Sequence, residues 1–366
     1  MKNILIIAPL TPPYTGNALP IKYIYDNYKV EQGIEVINLS KGSFKSGFDS
    51  FSRVGQILKI ILNVLIKQRG KDLIYLTVAE STLGNLRDVL IYLVTFFNSK
   101  KVIIHLLGGN SMKVILSNKK SPWFWVNKFF INRLGGVIVE GGFQGEFYEN
   151  VIKPTKIHII HNFAQDFLFS DENFIRSKYA HVKTYRILFL SNLLYGKGHY
   201  ELFEAFASLP KDLQFKIQID YAGGFESEIE KDKFLNLIKS YPQIIYHGHV
   251  NGDKKADLFK SAHIFCLPTY YPFEGQPFVI VEAYAAGCAV ITTNHSGIGY
   301  IFKDKENGIE VQKKSVKDLA KIFISMINQP KDMLDFALFN NIQAKEKFTS
   351  KVYLFKVNQV FKKFIS

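Results

Sequence analysis

Cysteine is nearly absent from this 366-residue chain, which has only Cys266 and Cys288. Two thiols cannot build a disulfide framework, and their spacing fits no metal-ligand motif. They read as buried thiols in a reducing compartment. Also lacking is any apolar run of the roughly 18 residues that a membrane helix needs. Ile57–Ile66 is broken by Lys59 and Asn63, and Val89–Phe97 is too short. The opening MKNILIIAPL resembles a secretion signal, but Pro9, Pro12 and Pro13 follow at once with no small-residue cleavage site. A buried first strand fits better. There is no tandem repeat and no low-complexity tract. These absences leave a cytoplasmic protein, soluble or surface-bound.

The chain has ample apolar material, 47% of its residues. Its length suits two domains of ordinary size. The net charge of +14 is unevenly spread. Residues 163–344 carry 20 Lys/Arg and 21 Asp/Glu, while the remainder carries 26 against 11. A basic half points to a polyanionic partner: anionic lipid, a phosphate-bearing acceptor or nucleic acid.

Short β-branched runs alternate with helical patterns. The first series of candidate strands is Ile4–Ala8, Glu35–Leu39, Leu73–Thr77, Val102–Leu106, Val137–Val139 and Ile157–Ile160. The second is Ile187–Ser191, Lys216–Ala222, Ile244–His247, Ile264–Leu267, Val290–Thr293 and Gly308–Val311. Helical patterns between them include Tyr200–Ala207, Ile229–Ser240 and Val316–Asn328. Such alternation implies an α/β fold with parallel sheets. Two Rossmann-like domains are expected, residues 1–162 and 185–344, facing a central cleft. The polar stretch 163–184 lacks a clear period and reads as the linker. The basic, helix-compatible stretch 345–366 matches the first domain in charge and is expected to pack there.

In open parallel sheets, ligands bind beyond the carboxyl ends of the strands. The unusual residues lie there. Gly16 sits in a loop after the first strand, where a phosphate could approach backbone N–H groups; a proline-rich turn is the alternative. His105 ends a strand before Gly108–Gly109. It is either a group near a reacting sugar or an ordinary packed histidine. Lys197 lies between two glycines before a helix, which suits a diphosphate, or else is an exposed lysine at a helix start. Gly223–Gly224 forms another close-approach loop. His247 and His249 alternate, but no carboxylate or cysteine completes a metal site, so strand-end packing is favoured.

The most informative segment is LPTYYPFEGQPFVIVEAYAAGCAVITT. A strand ends at Pro268, and a helix begins near Pro277. Glu282 lies inside that apolar helix, where an unpartnered carboxylate is costly. Vicinal hydroxyls suit bidentate acceptance by carboxylates. Glu274 can therefore hold hexose hydroxyls while Glu282 holds a ribose. The alternative is a capping Glu274 and a Glu282 paired with a nearby lysine.

From Leu188 to about Val311 the chain resembles glycosyltransferase family four, whose members have the GT-B fold. The resemblance rests on E-x7-E at Glu274 and Glu282, with a strand ending in proline before it and EA-x-A-x-G after it. It implies retaining transfer of a hexose-type sugar from a nucleotide-diphosphate donor, UDP- or GDP-linked. No metal and no cofactor beyond the donor are needed. Glu274 and the amides of Gly275, Gln276 and Phe278 would meet the sugar, and Glu282 the ribose. Lys197 would meet the diphosphate. Gly16, Asn17 and Gly223 would line the phosphates, His105 the reacting centre, and Val250 the base. Two positions depart from the pattern. Asn192 stands where the family usually has Arg, and Asn17 where it usually has Gly.

Residues 113–133 interleave Trp123, Phe124, Trp125, Phe129 and Phe130 with lysines and an arginine. This suits either a membrane interface or a helix with its apolar face in the core. With the basic half, it favours peripheral contact with the inner face of the cytoplasmic membrane. That fits the acceptor that the resemblance implies, a glycan or polyprenyl-diphosphate-linked glycan of bacterial surface polysaccharide, such as O-antigen, capsule or exopolysaccharide. The rival readings are a sugar-nucleotide-binding relative with little or no transfer activity and a basic nucleic-acid-binding protein. No nucleic-acid motif supports the latter.

Overall fold

The computed structural model describes residues 3–10, 18–29, 33–40, 50–79, 81–109 and 111–365. The chain divides into two compact units. Unit 1 is Met1–Asn162 with Lys351–Ser366, and unit 2 is Phe163–Ser350. Gly16 and Asn17 lie outside the described residues.

Unit 1 is built on β1 (Ile4–Ala8), β2 (Ile34–Asn38), β3 (Leu73–Thr77), β4 (Val102–Leu106), β5 (Gly136–Val139) and β6 (Ile157–Ile159). They form one parallel sheet in the order β2-β1-β3-β4-β5-β6. β1, β3, β4 and β5 are buried along their whole length. Parallel strands covered on both faces have no solvent side, so they read as unbroken apolar runs. The helices are α1 (Ala18–Tyr28), α2 (Ser50–Lys67), α3 (Thr82–Val94), α4 (Ser111–Ser117), α5 (Pro122–Ile131) and α6 (Gly142–Tyr148). Ser121 caps α5 by accepting from the Trp123 amide, and Pro122 occupies its first turn.

Unit 2 repeats the scheme with β7 (Tyr185–Leu190), β8 (Ile217–Ala222), β9 (Ile244–Tyr246), β10 (Ile264–Leu267), β11 (Ala289–Thr292) and β12 (Gly308–Glu310). The sheet order is β12-β11-β10-β7-β8-β9, again parallel. Its helices are α7 (Glu172–Tyr179), α8 (His199–Ala207), α9 (Lys211–Gln214), α10 (Glu228–Ile238), α11 (Gly252–Ser261), α12 (Phe278–Ala285), α13 (Val316–Asn328) and α14 (Pro330–Lys347). A last helix, α15 (Ser350–Lys362), belongs to unit 1 from Lys351 onward. There Phe361 packs against Tyr75 and Tyr28, each with ring centroids 5.5 Å apart. All twelve expected strands are present, with ends shifted by at most two residues.

Two expected boundaries change. The stretch 163–184 is part of unit 2, not a linker. Phe163, Leu168, Ile175 and Tyr179 are buried there. The Lys178 ammonium donates to the carbonyls of Ala262, Ala286 and Gly287 at 2.7–3.0 Å, at the C-terminal ends of α11 and α12, where a cation is favoured. The buried positions fall on a short turn and then on α7, so they share no single period. At the other end, residues 345–347 complete α14 in unit 2. Phe348 is buried in the core of unit 2 and separates α14 from α15.

Asn340 on α14 ties the edge of the second sheet. It donates to the carbonyls of Cys288 and Asn307, each at 2.8 Å, and accepts from the Asn307 side chain at 2.7 Å. Three histidines are buried and held in the neutral form by desolvation. His105 on β4 falls to about 3, and His199 and His263 each to about 4. His105 Nδ1 shares a hydrogen bond with Tyr75 Oη at 2.6 Å.

Asn340→Leu removes three buried hydrogen bonds. It should lower unfolding free energy by about 3 kcal/mol, read by urea denaturation. The histidines set an acid dependence. Their pKa values are lower folded than unfolded, so below about pH 6.5 the unfolded chain binds more protons and stability falls with pH. His105 alone should account for roughly 2 kcal/mol of loss between pH 7 and pH 5. His105→Gln should flatten that slope in unfolding curves taken at the two pH values.

Candidate active site at the carboxyl ends of β7 and β10

β7 and β10 are neighbours in the middle of the second sheet. The chain leaves β7 for β8 on one side, and β10 leads to β11 on the other. Strand order reverses between them, and the crevice beyond their carboxyl ends is where such sheets bind ligands.

The loop after β7 reaches α8 through Gly196-Lys197-Gly198. Both glycines have positive φ, +91° and +89°. A Cβ on Gly198 would lie 2.5 Å from the Pro268 carbonyl, and one on Gly196 3.1 Å from Tyr271 Cα. The glycines therefore let the β7 loop lie directly against the β10 loop, where the Tyr270 amide donates to the Gly196 carbonyl at 2.7 Å. Lys197, held between them, points its ammonium at Glu274. Its Nζ lies 3.0 and 2.8 Å from the two carboxylate oxygens. Thr269 Oγ1 donates to Glu274 Oε2 at 2.9 Å, and Ser296 Oγ donates to the Glu274 carbonyl at 2.6 Å. The Lys197 ammonium also sits 4.7 Å from the centre of the Tyr271 ring.

Glu274 does not cap α12. The N-cap of that helix is Pro277, which makes no side-chain cap bond. Phe278 begins the helix and is half-buried, while Gly275 and Gln276 are buried in the turn before it. The Gly275 carbonyl accepts from the Gly297 amide at 3.2 Å. Glu282 is fully buried on α12. Its Oε1 accepts from Lys255 Nζ at 2.6 Å, and its Oε2 has no hydrogen-bond partner among the described residues. Lys255 stands in the first turn of α11, a position unfavourable for a cation unless a carboxylate answers it. Gln165 Oε1 accepts from the same ammonium at 3.3 Å. The pairing of Glu282 with a lysine, weighed from sequence as the alternative to ribose contact, is thus present.

The remaining loops close around this end of the sheet. A Cβ on Gly223 would lie 1.8 Å from the Ser191 carbonyl, and one on Gly224 2.2 Å from His249 Nε2. These glycines permit the β8 loop to pack between the β7 and β9 loops. Val250 is half-buried on the unit 2 core, one residue before the N-cap of α11. Asn192 is exposed at the end of β7. His247 Nε2 bonds Asp220 Oδ1 at 2.8 Å and His249 packs on Gly224, so the two do not form a metal pair.

The structure thus brings together Lys197, Glu274, Gly275, Gln276, Phe278 and Glu282, with Gly223, Val250 and Asn192 on the adjoining loops of the same unit. His105 belongs to unit 1. Its ring is enclosed within β4 and bonded to Tyr75, so it matches the packing alternative and exposes no atom to a reacting sugar. Sequence reading missed Lys255, Thr269, Tyr271 and Gln165. Of these, only Lys255 carried a signal, its cation at the wrong end of a helix.

Residues 171–338 match the model of the family described as Glycosyl transferases group 1. An uncharacterized glycosyltransferase of Methanocaldococcus jannaschii is 31% identical over 150 residues, which are 40% of this chain and 37% of that protein's length. The N-acetylgalactosamine-N,N'-diacetylbacillosaminyl-diphospho-undecaprenol 4-alpha-N-acetylgalactosaminyltransferase of Campylobacter jejuni is 27% identical over 273 residues, 70% of this chain and 68% of that one. Among solved structures, Anabaena HepE in complex with UDP-glucose superposes with a TM-score of 0.74 at 17% identity, covering 99% of this chain and 100% of that chain. The α/β class expected from sequence, two parallel-sheet domains of GT-B type, is borne out. The likeness to glycosyl transferases group 1 thus covers residues 171–338, the stretch that holds Lys197, Glu274 and Glu282.

Proposed function

We propose that the protein is a retaining glycosyltransferase that moves a hexose-type sugar from a nucleotide-diphosphate donor to a glycan acceptor. The observation that carries this reading is the Lys197–Glu274 pair at the switch point. An ammonium has three N–H donors, and Glu274 takes two of them. The third can reach a phosphate oxygen while the carboxylate accepts sugar hydroxyls. One ion pair would thus hold the sugar and its leaving group in register. The α12 N-terminus adds backbone donors from Phe278 onward. Glu282 would accept a ribose hydroxyl at Oε2, with Lys255 supplying the counter-charge at Oε1. Val250 leads into α11, so base and ribose contacts would be joined through Lys255.

In the reaction, the bond from the anomeric carbon to the diphosphate breaks, and the acceptor oxygen bonds that carbon from the same face. The acceptor's hydroxyl proton passes to the departing phosphate oxygen. Lys197 and the loop amides stabilise the charge that develops on the diphosphate. We assign no metal and no further cofactor to this step. His105 acts through packing, by positioning the end of β4. Gly16 and Asn17 are assigned to the phosphates by the family pattern alone. The UDP-glucose complex of HepE supports a nucleotide-sugar donor, and the undecaprenol-linked substrate of the Campylobacter relative supports a lipid-linked glycan acceptor. Such an acceptor belongs to surface polysaccharide assembly at the cytoplasmic face of the membrane.

A second reading is a sugar-nucleotide-binding protein without transfer activity. Asn192 favours it, because it brings no charge where the family usually places Arg. Single-turnover transfer with a panel of UDP- and GDP-sugars separates the two.

Glu274→Ala should lower kcat/KM for transfer on the order of 100-fold or more. Unchanged transfer in that variant would reject the proposal. Lys255→Met should weaken nucleotide binding by roughly tenfold in calorimetry, since it leaves the buried Glu282 without its partner. Unaltered affinity would remove Lys255 and Glu282 from the donor site.

A further inference from the structure

Unit 1 carries the whole net charge of the chain. It has 24 Lys/Arg against 10 Asp/Glu, whereas unit 2 has 22 of each. The same unit exposes large apolar side chains in an ordered pattern. On α2, Val54, Leu58, Leu62, Leu65 and Ile66 are all exposed. Their spacing of three and four places them on one continuous stripe. Among the described side chains of α2 only Val64 is buried, and the exposed stripe leaves an apolar face outward. On α3, Leu83, Leu86 and Leu93 are exposed and continue into Phe97, which is 97% exposed. These residues also recur at one face of the helix.

The two stripes are neighbours. α3 packs against α2 on one side and α5 on the other. The reciprocal side-chain bonds of Asn85 and Asn127, each 3.0 Å, lock α3 to α5. Asn98 donates to Gln68 at 3.1 Å just beyond α2. On α5, Trp125 and Phe129 are exposed, and the Arg133 guanidinium lies 3.8 Å from the centre of the Phe129 ring. Phe124 and Ile131 of the same helix are buried. The aromatic stretch 113–133 therefore serves core and surface together.

Charge identifies the occupant. Residues 50–69 and 81–133 include twelve Lys/Arg and a single carboxylate, Asp88. Asp88 is fully buried and bonded to Arg87 at 2.6 Å, so it does not face outward. A second copy on a two-fold axis would set this cationic patch against itself. Nucleic acid would leave the Leu and Val stripes without an apolar partner. An anionic bilayer answers both features, with headgroups for the cations and acyl chains for the stripes. Among the described residues no helix is long and apolar enough to cross a membrane. The geometry points to a peripheral docking face, formed by α2, α3 and α5 lying on an anionic lipid surface. The inference uses unit 1 alone, so it stands or falls separately from the donor site in unit 2.

The test is cosedimentation of the full chain with vesicles of phosphatidylcholine alone or mixed with phosphatidylglycerol. Binding is expected to the mixed vesicles at low salt, with little to phosphatidylcholine alone. It should weaken as salt shortens the Debye length from about 10 Å at 0.1 M to about 3 Å at 1 M. The variant L58S/L62S/L86S keeps the charge and removes apolar area. It should partition at least roughly tenfold less, with unchanged circular dichroism. Lys119 and Lys120 are exposed in the loop just before α5, and the variant K119E/K120E should lose the preference for phosphatidylglycerol. No partition of the wild type at low salt overturns the inference, and so does equal partition of the serine variant. A wild-type dimer in sedimentation that the serine variant dissolves, without vesicle binding, would assign the face to a second copy instead.

Discussion

The contact between the β7 and β10 loops is the constraint on which the site depends. Two glycines with positive φ let the chain around Lys197 rest on Pro268, at a distance no side chain would permit, and tightly on Tyr271. That closeness puts an ammonium against both oxygens of Glu274. A few tenths of an ångström of extra separation would turn a charge-assisted, two-point contact into a longer, more weakly aligned one. The same loops start α8 and α12, so the backbone geometry that makes the ion pair also aims two helix N-termini at this end of the sheet.

Buried charge is handled consistently in unit 2. Glu282 meets Lys255, Asp220 meets Arg186 and His247, and Lys178 meets three helix-end carbonyls. Each of these groups would be costly alone in the interior. Lys178 compensates two helix C-termini at once, and it sits on α7. A stretch that looks like a linker thereby becomes part of the domain's electrostatic framework. The match of the family model begins at residue 171, where α7 is capped by Asp171.

The two units solve the same folding problem with opposite surfaces. Both cores are built on six-stranded parallel sheets. Unit 2 is electrically balanced and pairs buried Glu274, Glu282 and Asp220 with cations, whereas unit 1 concentrates cations beside outward apolar stripes. Elements of one architectural class can therefore serve a polar ligand site in one unit and a broad surface in the other.

All twelve strands were legible from sequence; those buried on both faces, such as β1, β3, β4 and β5, read as apolar runs without gaps. The E-x7-E pair was legible too, since a carboxylate inside an apolar helix is conspicuous. What the sequence could not show was the partner of each carboxylate. Lys197 is 77 residues from Glu274, and Lys255 is 27 from Glu282. Such distances are closed only by strand order, which sets β7 beside β10 and α11 near α12. His105 shows the converse. Its place at a strand end was correct, but burial against Tyr75 depends on β3 lying next to β4. The α2 and α3 stripes have helical spacing that sequence displays equally for a core face. Only packing decides which apolar face turns inward. Local pattern, then, determined the elements and the residue types able to do chemistry. Tertiary structure decided which of them meet, because pairing and exposure depend on neighbours distant in the chain.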